Sequence, residues 1–329
     1  MKNIVTPNGI SVRVPEIDKE DPSKKFTLDQ LEEAQKYYVE NGYCIIRNIF
    51  SNDVCDRIRK LWHKEVKSFN GHIYRQATAK SEKNKYNQSG WVMNPILNLQ
   101  SLNPRHHGEL RKCATDLVLC AAEMRQALLV LLGHKPKIVQ SMYFEGNSET
   151  WEHQDTYYLD AENLGTMVAA WVALEDIDAD AGRFFICPKS HLIDVGRQSK
   201  SDNVATNHNV YIKKIVEIIK NQNMEIRAPK LNQGDVVFWN ARTIHGSLAS
   251  QGAANSRSSI TLHAIPSDSK LLQLQTRLLD VPTEDIGGVD IWRPKDQQLL
   301  FNRTIKWGES MFPKAYYFVK KTLIKAMVK

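Results

Sequence analysis

Three residues of this chain have side chains that could bind a metal ion and leave part of its coordination sphere open. His153 and Asp155 stand two positions apart, so on a β-strand both side chains point to the same face. His245 follows the strongly β-prone run 236–240 and supplies a second imidazole from a distant strand. Two imidazoles and one carboxylate on one face of an ion are typical of Fe(II) sites for oxygen chemistry, whereas structural zinc sites are closed by four ligands. We therefore predict an iron site at these three residues.

Two His-x-Glu pairs offer the same spacing and are the alternatives. His63 and Glu65 follow an amphipathic pattern typical of a surface helix, and His107 and Glu109 belong to a polar turn. A motif of three residues also arises by chance, so the surrounding sequence must decide which pair binds a metal. The strand-like context favours the pair that begins at His153.

Arg257 begins a second β-prone run, 257–265, and could bind an acidic co-substrate. Its guanidinium can hold a carboxylate through two hydrogen bonds, and the hydroxyl of Ser259, on the same face of the strand, could add a third. An arginine at the start of a strand is more often a solvated surface residue. The functional interpretation of Arg257 therefore depends on its position shortly after His245 in the sequence. Arg242 is the nearest alternative, although it precedes His245.

Several short motifs occur in order along the chain. They are His153-Gln154-Asp155, Ala170-Trp171, Gly182-Arg183-Phe184, Pro188-Lys189-Ser190-His191, His245-Gly246-Ser247 and Arg257. Together with the helix and strand pattern at 26–46, they resemble the phytanoyl-CoA dioxygenase family of Fe(II)- and 2-oxoglutarate-dependent oxygenases. The resemblance covers roughly residues 26 to 266.

This resemblance implies roles for individual residues. His153, Asp155 and His245 would bind the iron, and Arg257 would bind the far carboxylate of 2-oxoglutarate. Further residues of the co-substrate pocket would be Ser247, Trp171 and Gln140, with Ser259 beside the arginine. In the family, the stretch equivalent to 70–108 tends to cover the active site. Apart from the resemblance, candidate substrate contacts are Tyr157, Tyr158, Arg183, Arg75 and Trp91, and most of them could equally be structural.

The chain departs from the family pattern at two places and keeps it at a third. Lys189 stands where the family usually has glycine, and the interval from His245 to Arg257 is about one residue longer than usual. Family members that halogenate carry a small residue in place of the metal carboxylate. Because Asp155 is present, no position is vacated for chloride, and we do not expect halogenation.

The resemblance implies an oxygenase that uses Fe(II), 2-oxoglutarate and dioxygen to attack an unactivated C–H bond of a small organic molecule, most simply by hydroxylation. Desaturation and oxidative cyclisation need the same cofactors, so the sequence leaves the outcome open. The alternatives from other classes are a cupin-like metal protein without oxygen chemistry and a binding protein that has lost activity. Independence from Arg257 would favour the cupin-like protein.

Helical patterns come first and strand patterns later. This order predicts a mainly β protein with flanking helices and a cupin-like jelly-roll core, the double-stranded β-helix, at about 137–266. We expect a loose polar arm at 1–25, a single oxygenase domain at 26–300 and a basic amphipathic helix at 301–329.

Capping signals delimit the predicted helices. Thr27 with Gln30 three residues later forms a capping box, and Gly42 is suited to end the helix that follows. Ser51 is a suitable cap for a second helix, and the pattern at 111–132 predicts another.

Composition is that of an ordinary globular protein, with 329 residues, 42% apolar and 25% charged. Five cysteines without a Cys-x-x-Cys motif predict reduced thiols and a cytoplasmic location. The N-terminus has no apolar signal region, and the longest apolar stretch, 117–132, is interrupted by charges. We therefore expect no transmembrane segment.

The net charge of +7 arises from dispersed residues except at 314–329, which is a basic amphipathic helix by pattern. Such a helix commonly packs its apolar face on the domain. The alternative is peripheral contact with a membrane surface or an acidic partner. No motif indicates nucleic acid binding, so we expect a small-molecule substrate; the sequence does not indicate an oligomeric state.

Overall fold

The computed structural model describes residues 1–146, 149–193, 195, 204–252 and 256–327. The α-helices are α1 Leu31–Asn41, α2 Asn52–Trp62, α3 Pro104–Ala114, α4 Ala122–Leu132, α5 Val204–Asn221, α6 Leu300–Met311 and α7 Pro313–Met327. The strands are β1 Lys2–Val5, β2 Ser11–Val14, β3 Lys25–Phe26, β4 Tyr43–Ile46, β5 Ile73–Tyr74, β6 Ser81–Glu82, β7 Ile96–Leu97, β8 Pro136–Phe144, β9 Thr150–His153, β10 Leu159–Ala161, β11 Val168–Ala173, β12 Phe184–Ile186, β13 Val236–Asn240, β14 His245–Ser247, β15 Ser259–Pro266, β16 Leu271–Gln273, β17 Arg277–Leu279, β18 Thr283–Ile286 and β19 Val289–Trp292.

Two sheets form the centre of the molecule. The large sheet has the strand order β18-β19-β8-β15-β11-β13-β4-β3, and β7 also pairs with β8. Its pairings are antiparallel except for β19 with β8 and β3 with β4. A small sheet has the order β12-β14-β9, and further pairing joins β10, β16 and β17, β1 with β2, and β5 with β6. The chain is therefore β-rich with flanking helices, as predicted.

The side-chain alternation of β4 shows how the large sheet is packed on both faces. Cys44 and Ile46 belong to the cluster of buried residues that helices α1 to α4 share. Tyr43 and Ile45 point the other way, into a cluster that contains Phe184 of the small sheet. Helices thus cover one face of the large sheet and the small sheet covers the other. Strands buried on both faces read as continuous apolar runs, which is the pattern of this strand.

The predicted helix caps at Thr27, Gly42 and Ser51 are confirmed. Thr27 forms the capping box, and Gly42 ends α1 with a φ of 79°. The hydroxyl of Ser51 accepts the N–H of Val54 at the start of α2. The single helix predicted at 111–132 is wrong, because a π-helical turn and an extended residue separate α3 from α4.

Lys189, which stands where the resembling family usually has glycine, adopts a left-handed backbone with a φ of 64°. This conformation costs a residue with a side chain more than it costs glycine. The N–H of Lys189 donates to the carbonyl of Asn41 at 2.8 Å, so the turn ties the end of α1 to the chain after β12. The chain therefore makes this turn with a residue that has a Cβ.

The N-terminal residues are not the loose polar arm that we expected at 1–25. Strands β1 and β2 pair, and Ile4, Val12 and Val14 are buried in a cluster with Phe185 of the small sheet. The alternation of valine with polar residues in β2 explains the correction, since it provides one apolar face for packing.

The C-terminal residues form two helices and not the single helix predicted at 301–329. Phe312, with φ −129° and ψ 55°, ends α6 immediately before Pro313. Proline disfavours the helical conformation of the residue before it, which explains the break. No helix among the described residues has the length and apolar character to cross a membrane.

The packing of the N-terminal hairpin on the small sheet is testable. Val14 is 0% exposed and Val5 is 58% exposed on the same hairpin. Val14→Ala should lower the free energy of unfolding by about 2 kcal/mol, because it leaves a cavity in a packed cluster. Val5→Ala should change it by less than about 0.5 kcal/mol. Denaturant titration of both variants measures the difference; equal effects would show that the hairpin does not pack on the domain.

Candidate active site

A cavity of about 260 Å³ lies between the two sheets. Its lining residues come from β8, β11, β13 and β15 of the large sheet, from β9, β12 and β14 of the small sheet, and from adjoining turns. They are Gln76, Leu97, Gln140, Met142, Phe144, Thr150, Trp151, His153, Asp155, Tyr158, Leu159, Trp171, Phe184, Trp239, His245, Gly246, Ser247, Arg257, Thr261 and His263. All three predicted iron ligands and Arg257 therefore face one space.

The pairing of β9 with β14 brings the two histidines together. His153 ends β9 and lies opposite His245 in the register of the small sheet. Asp155 begins the 3₁₀ turn that follows β9. Its Oδ1 is 3.7 Å from Nε2 of His153 and 3.6 Å from Nε2 of His245. The three ligand atoms lie within 4.8 Å of one another, close enough to bind one ion.

Backbone hydrogen bonds fix the orientation of both imidazoles. Nδ1 of His153 is 2.8 Å from the carbonyl oxygen of Trp151, and Nδ1 of His245 is 2.9 Å from that of Thr243. A carbonyl can only accept, so each Nδ1 carries the hydrogen. The lone pair is therefore on Nε2, which is the atom that faces Asp155.

Trp239 orients the carboxylate of Asp155. The indole Nε1 of Trp239 donates to Oδ2 of Asp155 at 2.8 Å, which leaves Oδ1 directed at the two histidines. Nε2 of His263 lies 3.4 Å from the same Oδ2. The indole and His263 thus surround the oxygen that does not face His153 and His245.

The protonation states suit metal binding at neutral pH. Burial opposes ionisation of Asp155, but the imidazoles of His245 and His263 outweigh it and hold its pKa well below the usual range. Burial lowers the pKa of His245 to about 4, although Asp155 acts in the opposite direction. The ligands are thus a carboxylate and an uncharged imidazole, the forms that bind metals.

The two alternative His-x-Glu pairs have other roles. The side chain of His63 is 51% exposed, and the carboxylate of Glu65 accepts the backbone N–H groups of Glu109 and Leu110. Nδ1 of His107 lies 2.8 Å from the carbonyl oxygen of Glu65. Within the described ranges, the ligand atoms that converge are those of the predicted iron site.

Arg257 is a buried cation without an acidic partner among the described residues. It is 3% exposed, its Nη1 donates to the carbonyl of Gly182 at 2.7 Å, and its Nε has no hydrogen-bond partner there. The rings of Phe144 and Trp171 lie 5.4 and 5.8 Å from the guanidinium carbon. Burial lowers the pKa of Arg257 to about 9, so it stays charged at neutral pH. An anionic ligand would offset the cost of this buried charge.

The other residues assigned to the co-substrate pocket divide into two groups. Gln140, Trp171 and Ser247 line the cavity. Ser259 does not line it, and its hydroxyl donates to the backbone carbonyl of Arg257 at 3.2 Å. Arg242, the alternative anchor, packs over Gly165 and is also absent from the cavity wall. The loop before Arg257 includes residues 253–255, which lie outside the described ranges.

Of the aromatic residues expected to contact substrate, Tyr158 lines the cavity and two others do not. The hydroxyl of Tyr158 is 2.8 Å from Nε2 of His208 in α5. Tyr157 stacks on Tyr211 with the ring centroids 3.6 Å apart, and the ring of Trp91 packs against the Lys67 ammonium. Tyr157 and Trp91 therefore support neighbouring segments, which corrects the expectation.

The two arginines expected to contact substrate are structural and do not line the cavity. Arg75 is 0% exposed and donates to the backbone carbonyl of Asn94 and the side-chain oxygen of Asn84. Arg183 is 1% exposed and donates to the carbonyl of Pro15, among others. A buried guanidinium needs several acceptors, and backbone carbonyls provide them without a counter-ion.

Trp239 and His263 are the site residues that sequence reasoning missed. Trp239 belongs to a β-prone run that we had interpreted only as a strand. His263 shares a face of β15 with Thr261, so the period of two would have placed both on the same side of the strand. The polar stretch 70–108 contributes Gln76 and Leu97 to the cavity wall.

Comparison with solved structures finds proteins whose fold is similar to that of this chain. The carbocyclase SnoK from nogalamycin biosynthesis, described as non-heme and α-ketoglutarate dependent, aligns with a TM-score of 0.55 at 20% identity, covering 75% of this chain and 89% of its own. EctD from S. alaskensis, solved with 2-oxoglutarate and 5-hydroxyectoine, aligns with a TM-score of 0.54 at 17% identity. The alignment covers 80% of this chain and 86% of EctD.

Comparison of sequences identifies the family. The bovine (Bos taurus) peroxisomal phytanoyl-CoA dioxygenase is 26% identical over 223 residues, which are 65% of this chain and 63% of the bovine enzyme. The mouse (Mus musculus) enzyme is 28% identical over 240 residues, which are 68% of this chain and 66% of the mouse enzyme. The chain thus spans somewhat under two thirds of the bovine relative. The family profile for phytanoyl-CoA dioxygenase (PhyH) matches residues 38–259, and the chain belongs to this family.

Proposed function

We propose that this protein is an Fe(II)- and 2-oxoglutarate-dependent oxygenase that hydroxylates an unactivated C–H bond of a small organic molecule. One observation carries the proposal: three converging metal ligands and a buried arginine without an acidic partner among the described residues line the same cavity. The metal ligands suit Fe(II), and the arginine suits the far carboxylate of 2-oxoglutarate.

His153, Asp155 and His245 would hold the iron. Their donor set is complete on one side only, so positions remain for a co-substrate and dioxygen. Bound iron, with 2-oxoglutarate and dioxygen, supplies the oxidising power for the C–H bond, and succinate and carbon dioxide are released. The protein contributes the orientation of the ligands, through Trp239 and the backbone carbonyls, and a cavity that limits the access of water.

Arg257 would bind the far carboxylate of 2-oxoglutarate. Its free Nε faces no other acceptor among the described residues, and the rings of Phe144 and Trp171 flank the charge. A carboxylate here would form charge-assisted hydrogen bonds in a site of low dielectric constant, where such bonds are strong. Ser247, Trp171 and Gln140 would form the surrounding wall.

We propose further that the substrate is small and uncharged. The cavity volume of about 260 Å³ must hold 2-oxoglutarate as well. Arg257 is the one lysine or arginine among the described lining residues, and the co-substrate would occupy it. The remaining wall offers Leu97, Met142 and Leu159 for apolar contact and Tyr158 for a hydrogen bond.

The core is proposed to be a double-stranded β-helix of the cupin type. The packing of the small sheet on one face of the large sheet and the largely antiparallel strand order support this interpretation. Desaturation and oxidative cyclisation use the same residues in the same roles. Analysis of the product distinguishes them from hydroxylation, because only hydroxylation adds an oxygen atom from dioxygen to the substrate.

Trp239 should control metal affinity through Asp155. Trp239→Phe removes the indole donor but keeps an aromatic ring, so Fe(II) affinity should fall roughly 10- to 100-fold. Trp62→Phe is the matched control, since Trp62 is 1% exposed and stacks on Tyr143 in the core that the helices cover. His153→Ala, Asp155→Ala and His245→Ala should abolish turnover. Metal titration measures these affinities, and an unchanged affinity of Trp239→Phe would contradict the role of the indole.

Arg257 should control 2-oxoglutarate affinity without affecting iron. Arg257→Lys keeps a charge but loses the planar donor pair, so the Kd for 2-oxoglutarate should rise roughly tenfold or more. Arg242→Lys is the control and should leave it unchanged. Anaerobic titration of the Fe(II) protein, followed by visible absorption, measures both. If only Arg242→Lys weakens binding, the anchor is misassigned; if neither does, the 2-oxoglutarate proposal fails.

Substrate preference should follow charge. In a screen for stimulated succinate release, uncharged amides should be preferred over the carboxylates of the same carbon skeleton, because the described wall residues include no second Lys or Arg. Acyl-CoA thioesters should stimulate poorly for the same reason. A stronger response to carboxylates or thioesters would contradict the uncharged substrate, whereas the absence of any 2-oxoglutarate turnover would contradict the oxygenase itself.

A further inference from the structure

The C-terminal helical pair, formed by α6 and α7, exposes apolar side chains. Nine of the 21 large apolar side chains that are exposed among the described residues lie between Leu299 and Val319. They are Leu299, Leu300, Phe301, Ile305, Trp307, Met311, Phe312, Phe318 and Val319. Phe301 and Phe318 are 73% and 74% exposed. Exposed apolar residues scattered singly are ordinary, but a concentration on one pair of helices indicates an interaction surface.

Helix α6 is oriented with its polar side toward the protein. Glu309 is 6% exposed, and its carboxylate accepts the N–H of Ser81 in β6 and the hydroxyl of Tyr317 in α7. The amide of Asn302 donates to the carbonyl of Asp296. A helix on the surface of a globular protein normally turns its apolar side inward. The arrangement here is the reverse, so packing on the domain, the commoner role of such a helix, does not account for the apolar residues.

The same segment carries most of the net charge of the protein. Residues 300–329 contain seven Lys or Arg residues and one Glu, a net +6 of the chain's +7. The one acidic residue, Glu309, is buried and hydrogen-bonded. The segment therefore presents positive charge together with the exposed apolar side chains.

We propose that the C-terminal helical pair binds peripherally to the surface of an anionic membrane. The phenylalanine and tryptophan side chains would enter the boundary between headgroups and acyl chains, and the lysines would contact the phosphates with their apolar stems along the helices. Lipid is favoured over a second copy of this chain, because two such segments, each at +6, would repel.

The helical pair is attached to the wall of the active-site cavity. Glu309 binds the backbone of Ser81, and the ammonium of Lys80 lies 4.7 Å from the ring centroid of Tyr317. Ser81 pairs with Tyr74 in the short hairpin whose connecting loop contains Gln76, a lining residue of the cavity. Membrane binding would therefore anchor the protein through the segment that borders the cavity, whichever reaction takes place there.

The test is co-sedimentation of the full chain with phosphatidylcholine vesicles, with and without phosphatidylserine. Binding is expected only with phosphatidylserine and should weaken as salt is added. Phe301→Ser with Phe318→Ser should reduce affinity at least roughly tenfold, since both side chains lose apolar contact. Lys314→Gln with Lys320→Gln should reduce it by about fivefold for each lysine.

The matched control is Leu164→Ser with Leu278→Ser, which removes two side chains that are 54% and 48% exposed elsewhere on the surface. It should bind vesicles as the unmodified protein does, and thermal unfolding should confirm that all variants are folded. Three results would overturn the proposal. The first is that the phenylalanine variant binds vesicles as tightly as the unmodified protein, and the second is that vesicles without phosphatidylserine bind the protein equally well. The third is that the protein binds no vesicles but forms a dimer, and the phenylalanine substitutions dissociate that dimer.

Discussion

The pairing of β14 with β9 places His245 opposite His153, and the rest of the site is arranged around this contact. The same strand pairs with β12 on its other side, so His245 lies on the central strand of the small sheet and His153 at the end of an edge strand. Phe184 of β12 then packs on Trp239 of the large sheet, with ring centroids 4.8 Å apart. The packing of one sheet on the other thus delivers the indole that orients Asp155. A shift of one residue in β14 would turn its histidine to the opposite face.

The site separates two buried charges of opposite sign, and within the part of the chain that the structure describes neither forms an ion pair with a Lys, Arg, Asp or Glu side chain. Asp155 is surrounded by imidazoles and an indole, and Arg257 by aromatic rings and a backbone carbonyl. In most interiors such groups would form an ion pair with each other, because burial of single charges is costly. Among the described residues neither has a side chain of opposite formal charge beside it, and a ligand could supply one: a cation at the carboxylate and an anion at the guanidinium. The packing of the rest of the core offsets the cost of burying these two charges.

The two ends of the chain show that amphipathic patterns do not determine where an apolar face will lie. At the N-terminus, alternating valines in β2 are covered by the small sheet. At the C-terminus, α6 is held to the domain by the hydrogen bonds of Glu309, and its apolar residues face outward. The C-terminal pattern predicted helix, which the structure shows, whereas the N-terminal strands replace the loose arm that was expected. Which side of each element is buried depends on which side another part of the fold can pack against.

The three candidate iron ligands, the candidate anchor arginine, the helix caps and the β-rich class could be predicted from the sequence, because each prediction depends on residue type and local periodicity. The strand predicted to carry both His153 and Asp155 ends at His153, and Asp155 begins the 3₁₀ turn that follows. The three-dimensional fold was needed to show that Trp239 and His263 adjoin Asp155, since they come from separate strands that the sheets bring together. The tertiary structure was needed for the buried arginines too. It likewise decided that Arg75 and Arg183 bind backbone carbonyls in the interior, because a guanidinium takes whichever acceptors packing places around it.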